Sequence, residues 1–224
     1  FVDGKGGKGD TLKQSFKVVA ELPDGAAETI RGLCASEHEL FVAIKRAGVV
    51  RVYDVETMAE LRSWPVSRPD RMVLDAHNTL WVLLAPEKGD GIWSLAGFEM
   101  DGREVARMAF NAAERPADLA IDRKGRLLVS DIGVSQQILI FDGLAARALR
   151  RCGTLGERNG IFSGPVPGRA GALRFNRPRG VGCDAAGNIY VASSGGTGGG
   201  STVLESYTSE GTLRWRRCGL FFVD

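Results

Sequence analysis

Three stretches of this chain superimpose without a gap. They are Arg68 to Asp75 (RPDRMVLD), Arg115 to Asp122 (RPADLAID) and Arg177 to Asp184 (RPRGVGCD). Each is followed by a short turn, at 76–78, 123–125 and 185–187. Each turn leads into an apolar run: LWVL from Leu80, LLVS from Leu127 and IYVA from Ile189. A fourth, weaker copy precedes them, with Ile30 to Ala35 (IRGLCA), a turn from Ser36 to Glu39, and LFVA from Leu40. With Glu28 in the Arg-Pro slot, the copies start at 28, 68, 115 and 177, so they are spaced by 40, 47 and 62 residues. A unit this short cannot bury its own apolar face, so its neighbours must stack on it. A period of about 40–50 residues predicts propeller blades of four strands each.

The rest of each unit fits that architecture. Third strands read from Val49 to Asp54 and from Ile138 to Asp142, and fourth strands from Glu60 to Trp64 and from Thr212 to Arg216. Apolar residues alternate at period two through 49–53 and 213–215, which is strand patterning. No window carries a helix, and Leu144 to Arg151 is read as one more fourth strand. The fold class is therefore all-β, a β-propeller of four-stranded antiparallel blades. A Gly/Lys-rich N-terminal segment occupies 1–14 and the propeller 15–224. Its blades span about 28–65, 66–110, 113–153 and 175–217, with an inserted loop at 156–173. Residues 15–22 read as an outer strand of a preceding blade, and 219–224 as the start of a further element. Four blades with loose ends are the expectation for part of a larger ring, because an open arc exposes strand edges.

Composition narrows the function classes. With 44% hydrophobic and 25% charged residues the chain is ordinary for a soluble globular protein. No uninterrupted apolar run reaches the roughly 18 residues of a membrane span. The chain begins at Phe1 without a basic-then-apolar leader, as a fragment or a product whose export signal has been removed would. A net charge of +2 makes no case for a polyanion partner by itself. Of the 29 basic residues seven are Lys, which leaves 22 Arg. Arg grips carboxylate and phosphate with a planar fork.

Several tempting motifs dissolve in the repeat register. Gly4 to Thr11 (GKGGKGDT) has Asp10 where a phosphate loop needs its Lys, with no strand before it and no helix after. Gly195 to Ser201 (GGTGGGS) has no Lys and falls between second and third strands, as a hairpin loop. His38 and His77 both sit in first-to-second-strand turns, on the far side from the loop that opens each repeat. Cys34 and Cys183 occupy the slot where the other copies have Leu74 and Ile121, so they read as small core hydrophobes. Cys152 and Cys218 share an Arg-Arg-Cys-Gly context at the end of the fourth strand. Equivalent slots on different blades lie too far apart for a disulfide.

One segment carries a family likeness. Phe175 to Ala192 (FNRPRGVGCDAAGNIYVA) resembles an NHL repeat, and the copy at Arg115 matches it more loosely through Asp122, Gly125, Leu128, Val129 and Asp131. The resemblance covers about residues 28–217. It implies a ring of six blades and says little about activity. Relatives of this fold include sugar lactonases, which hold a divalent metal such as Ca in the channel with Glu, Asn and Asp. Asp70, Asp118 and Asp131 are the nearest counterparts here. Some NHL domains bind RNA, but Trp64, Trp81, Trp93 and Trp215 are expected on strands, so nucleic acid is not the expected partner.

The loop entering each first strand and the loop leaving each second strand lie on one face of a propeller, around its channel. That face is expected to carry Arg31, Arg68, Asp70, Arg71, Arg115, Asp118, Arg177 and Arg179, with Lys45, Glu87, Lys88, Asp131 and Ser193 at the second-strand exits. The insertion from Gly156 to Leu173 enters the same face and adds Arg158, Asn159, Phe162 and Arg169. The expected function is a non-catalytic module of a larger bacterial protein. It binds a protein or a carbohydrate-like ligand there without a cofactor, and a metal-dependent lactonase-like hydrolase or lyase is the alternative.

Overall fold

The computed structural model describes residues 30–165, 167–168, 171–194 and 202–219. Within them sixteen strands form four separate four-stranded antiparallel sheets, each in sequence order. The first sheet holds β1 (Ile30–Ala35), β2 (Glu39–Ile44), β3 (Val49–Asp54) and β4 (Glu60–Pro65). The second holds β5 (Pro69–Leu74), β6 (Leu80–Leu84), β7 (Ser94–Phe98) and β8 (Glu104–Ala109). The third holds β9 (Pro116–Ile121), β10 (Leu127–Asp131), β11 (Ile138–Asp142) and β12 (Arg150–Leu155). The fourth holds β13 (Pro178–Cys183), β14 (Ile189–Ser193), β15 (Thr202–Tyr207) and β16 (Leu213–Gly219). No helix among the described residues is long and apolar enough to cross a membrane.

The repeat residues explain the local structure. Each Arg-Pro pair starts a first strand with Pro, which lacks an N–H and is tolerated at a strand's first position. The repeated Asp ends the strand and caps the turn. Asp75 Oδ1 accepts the N–H groups of His77 (2.8 Å) and Thr79 (2.9 Å), and Asp122 Oδ1 accepts those of Lys124 and Arg126, both at 2.9 Å. Asp184 Oδ1 accepts the Asn188 N–H at 2.8 Å. Three residues after each Asp the backbone is left-handed, at Asn78 (φ 59°), Gly125 (φ 71°) and Gly187 (φ 87°). Asn and Gly tolerate that region best. In the weak copy Ala35 cannot cap, and Ser36 Oγ accepts the Glu39 N–H at 3.1 Å instead.

Sheets stack through the alternation of their middle strands. From β6, Leu80, Val82 and Leu84 pack with Phe41, Val50 and Trp64 of the first sheet, while Trp81 and Leu83 face Leu127, Val129 and Phe141 of the third. β11 alternates in the same way: Leu139 and Phe141 face the second sheet, and Ile138 and Ile140 face Val181, Val191 and Tyr207 of the fourth. Cys34 and Cys183 pack at the edges of these clusters, and burial pushes the Cys34 thiol up to about 12 and the Cys183 thiol up to about 11. All four cysteines are free. First strands meet first strands, β1 on β5, β5 on β9 and β9 on β13, so they are the innermost, and the fourth strands are largely exposed.

Three expectations are corrected. Residues 144–147 form a turn rather than a strand, closed by the Ala148 N–H to Gly143 O bond at 3.1 Å, and β12 starts only at Arg150. The cause is local: Gly143 (φ 87°) and Arg147 (φ 54°) are left-handed, and Leu144 turns inward to 4% exposure. Cys152 consequently lies in the middle of β12, not at its end. Trp93 precedes β7 instead of lying on it, half-buried against the second and third sheets. Residues 1–29, 195–201, 220–224 and Arg169 lie outside the described residues, so the N-terminal segment, the preceding outer strand, the Gly-rich loop and most of the final 219–224 element do too.

Candidate functional site

Every first strand carries a bulge just after it begins. The pairing skips Arg31 in β1, runs one residue long at Asp70–Arg71 in β5, and skips Ala117 in β9 and Arg179 in β13. A bulge re-aims side chains next to the ladder. Here it presents charged residues where the innermost strands converge. Sheets approach closely at this level: a Cβ on Gly32 would lie 2.3 Å from the Asp70 carbonyl oxygen.

The structure brings Arg31, Lys45, Asp70, Arg71 and Asp118 together. Asp70 is 3% exposed, and its Oδ2 accepts from Lys45 Nζ at 3.1 Å and Arg31 Nε at 3.3 Å. Arg71 donates from Nη1 to the Arg31 carbonyl at 2.9 Å. Lys45 also lies 5.9 Å from the centre of the Trp93 ring, a cation–π distance. These contacts tie the second sheet to the first. Asp118 ties the third to the fourth, its Oδ2 accepting the Val181 N–H at 3.2 Å.

Burial pushes the Asp118 carboxyl above the ordinary aspartate range, and nearby Asp70 adds to this, while amide donors and Arg71 oppose it. The folded state therefore holds this proton more tightly than the unfolded chain. Asp118 costs no stability at low pH, and the cost appears as pH rises past the ordinary aspartate value. Asp118→Asn keeps an acceptor for Val181 and removes the charge. The variant is expected to melt at or slightly above the wild-type temperature at pH 7, with the difference shrinking toward pH 3. A variant clearly less stable at pH 7 would contradict this.

Asp131 is fully buried and committed to its own loop. Its Oδ1 accepts the N–H groups of Arg115 (2.7 Å) and Gly133 (2.8 Å), and its Oδ2 accepts the Ser135 hydroxyl. Asp70, Asp118 and Asp131 do not form a common ligand set. Among the described residues no group of three or more His, Cys, Asp or Glu side chains is placed to hold a metal ion. The lactonase-type donor arrangement therefore does not fit these residues.

Arg68, Arg115 and Arg177 open their strands alike: each carbonyl accepts an N–H from the second-strand exit, Ala85 (3.0 Å), Ile132 (3.0 Å) and Ser194 (3.3 Å). Arg68 and Arg177 are left-handed, with φ of 49° and 52°. Arg68 Nε and the Ser193 hydroxyl are buried without a hydrogen-bond partner among the described residues. Arg115 Nη1 donates to the Ala112 carbonyl at 2.6 Å, and Arg179 Nε to the Ser194 hydroxyl at 2.9 Å. The Arg177 N–H is taken by the Gln136 side chain of the preceding sheet. Glu87 and Lys88 are exposed in the β6–β7 loop. In the insertion, a 3₁₀ turn at Gly160–Phe162 leaves Phe162 62% exposed and follows the left-handed Asn159. Arg158 is exposed beside it.

The loop face also contains a cleft lined in part by Asp131 and Arg158. It has a volume of about 410 Å³ and lies between the 111–114 segment, the β10–β11 loop and the outer strand β12. Glu114 at its wall is 6% exposed. Burial raises its carboxyl pKa, but the Asn111 N–H, the Arg151 guanidinium and the Asn111 side chain outweigh this and hold it below the usual range. Ser67 and Asn176 fill the same slot in the other copies, so the repeat carried no signal for it.

No family model matches the chain, and no curated protein does. Solved structures match its fold. It superimposes on hydrazine synthase of Kuenenia stuttgartiensis with a TM-score of 0.62 at 14% identity, covering 92% of this chain and 53% of that one. The WD40 domain of Neurospora crassa Pan2 gives 0.59 at 9% identity, covering 88% and 52%. An inactive virginiamycin B lyase from Staphylococcus aureus, solved with quinupristin, gives 0.56 at 10% identity, covering 90% and 59%. The chain thus spans little more than half the length of these propellers. At such identities the likeness is one of fold.

Proposed function

We propose that this propeller segment is a binding module whose loop face takes an anionic ligand or an acidic segment of a protein partner. One observation carries the reading. Arg68, Arg115, Arg158, Arg177 and Arg179 have no carboxylate partner among the described residues, whereas Arg62, Arg103, Arg107, Arg126, Arg147, Arg150 and Arg216 each have one. Nine described arginines lack such a partner; these five belong to first-strand entries or to the insertion, Arg46 in the β2–β3 loop joins them on the same face, and Arg123, Arg214 and Arg217 lie elsewhere. Arg115 and Arg179 use one nitrogen each on neutral oxygens, but no carboxylate among the described residues neutralises any of the five, and guanidinium groups gathered this way favour carboxylate-, sulfate- or phosphate-bearing partners. The resemblance to NHL repeats, whose propellers serve as recognition modules, agrees with this reading. A lactonase-like hydrolase needs a donor set that Asp70, Asp118 and Asp131 do not supply.

The test uses a fluorescent oligoglutamate peptide at low ionic strength. Saturable binding that weakens with added salt is expected. Arg177→Ala with Arg179→Ala should weaken it about tenfold, since each lost charge-assisted bond is worth about 1.5–3 kcal/mol in favourable geometry and less at an exposed site. No binding at low salt, or binding unchanged in the double variant, refutes the proposal. A single-stranded RNA of equal charge that binds more tightly would replace an acidic protein partner with nucleic acid.

A further inference from the structure

The axial mouth is not the only built feature of the loop face. The cleft of about 410 Å³ over the third sheet lies within the size range of small-molecule sites, about 300–1,000 Å³. Its walls are held from several directions. Glu114 accepts the Asn111 N–H at 2.9 Å and its side-chain amide at 3.1 Å, and it pairs with Arg151 of β12. Asp131 locks the start of the β10–β11 loop, as above. The Asn159 N–H donates to Ser135 O at 2.8 Å, and Gln137 Nε2 to Gly156 O at 2.7 Å. These bonds dock the insertion against the same loop and place Arg158 at the rim. Both buried acids are therefore occupied within the protein. Left-handed backbone at Gln136 (φ 54°) and Asn159 (φ 68°) flanks the cleft. Such conformations are costly and cluster at binding sites.

What the cleft offers a ligand is the opposite of what its walls consume. Arg158 is exposed and has no carboxylate partner among the described residues. Arg151 lies 5.4 Å from the centre of the Phe141 ring and uses one nitrogen on Glu114. Apolar surface comes from Ala113 and from Val134, which is 63% exposed, above the buried Leu139. The geometry points to a site for a small organic carboxylate with a short apolar body. The carboxylate meets the forks of Arg158 and Arg151, and the body packs on Val134 and Ala113. This assignment shares Arg158 with the loop-face reading but uses neither Arg177 nor Arg179, so the two can fail separately.

Calorimetric titration of the whole chain with succinate, hexanoate and the dipeptide acid N-acetyl-Ala-Ala tests it, with the dipeptide amide as control. Saturable binding of at least one acid is expected, with the amide at least tenfold weaker. Arg158→Gln should weaken that acid at least tenfold at an unchanged melting temperature, while Arg177→Ala with Arg179→Ala leaves it unchanged. Preference for the dipeptide acid identifies a peptide C-terminus as the source, and preference for succinate or hexanoate a free acid. Val134→Asp provides a second, exposed change and should also abolish binding. Binding by none of the acids overturns the assignment. So does equal binding of acid and amide, or binding indifferent to Arg158→Gln and Val134→Asp.

Discussion

Trp81→Ala is expected to destabilise the protein by about 3–5 kcal/mol, the usual cost of emptying a large aromatic site in a core. Trp81 is wholly buried on β6 and faces the third sheet among Leu127, Val129 and Phe141. Its indole Nε1 donates to Asp75 Oδ2 at 2.8 Å, and the other oxygen of that carboxylate caps the β5–β6 turn. The truncation therefore opens a cavity between two sheets and strips a buried carboxylate of one donor. Trp81→Phe separates the two effects. It keeps most of the apolar volume and loses only the hydrogen bond, so a cost of about 1–3 kcal/mol is expected. Urea denaturation of both variants checks this. Equal losses would mean that the hydrogen bond, not the packing, dominates at this site.

Asp70→Asn is expected to cost about 3 kcal/mol, toward the low end for breaking a buried ion pair. Asp70 side-chain exposure is 4%, while those of its partners Lys45 and Arg31 are 15% and 31%. Asn cannot neutralise Lys45, which is left desolvated between two sheets. The partial exposure of Arg31 lets water take up part of its loss, which keeps the cost from rising further. Adding Lys45→Met should recover much of the stability, because replacing both charges with neutral groups removes the uncompensated cation. If the double variant is no more stable than Asp70→Asn alone, Lys45 is not the group that makes the loss expensive.

The fold was largely legible because its signals are local and repeated. The Pro that opens β5, β9 and β13, the Asp that caps each following turn and the left-handed Asn78, Gly125 and Gly187 recur at fixed offsets. Each reports a backbone requirement settled within a few residues. Residues 144–147 depart from the strand pattern because two left-handed residues, Gly143 and Arg147, make a turn that the repeat does not contain. Cys34 and Cys183 pack, partly buried, at the edges of the core clusters, and their slot, which holds Leu74 and Ile121 in the other copies, points there. Asp70, Asp118 and Arg179 lie in first strands and Asp131 ends β10, but which groups they bond is not readable from the sequence.

The sequence by itself determined the number of repeats, their register and the all-β propeller architecture. Periodicity and turn chemistry report what each short segment must do with its own backbone and apolar side chains, and those demands are met locally. Only the tertiary structure decided which charges are consumed and which remain. Asp70 and Lys45 stand 25 residues apart, Glu114 and Arg151 37 apart, and Asp118 and the Val181 amide 63 apart. Those contacts depend on how one sheet leans against the next and on where a bulge aims a side chain, and no spacing along the chain records that. The arginines of the repeat entries are visible in the sequence, but that they meet no carboxylate among the described residues follows only from how the sheets stack.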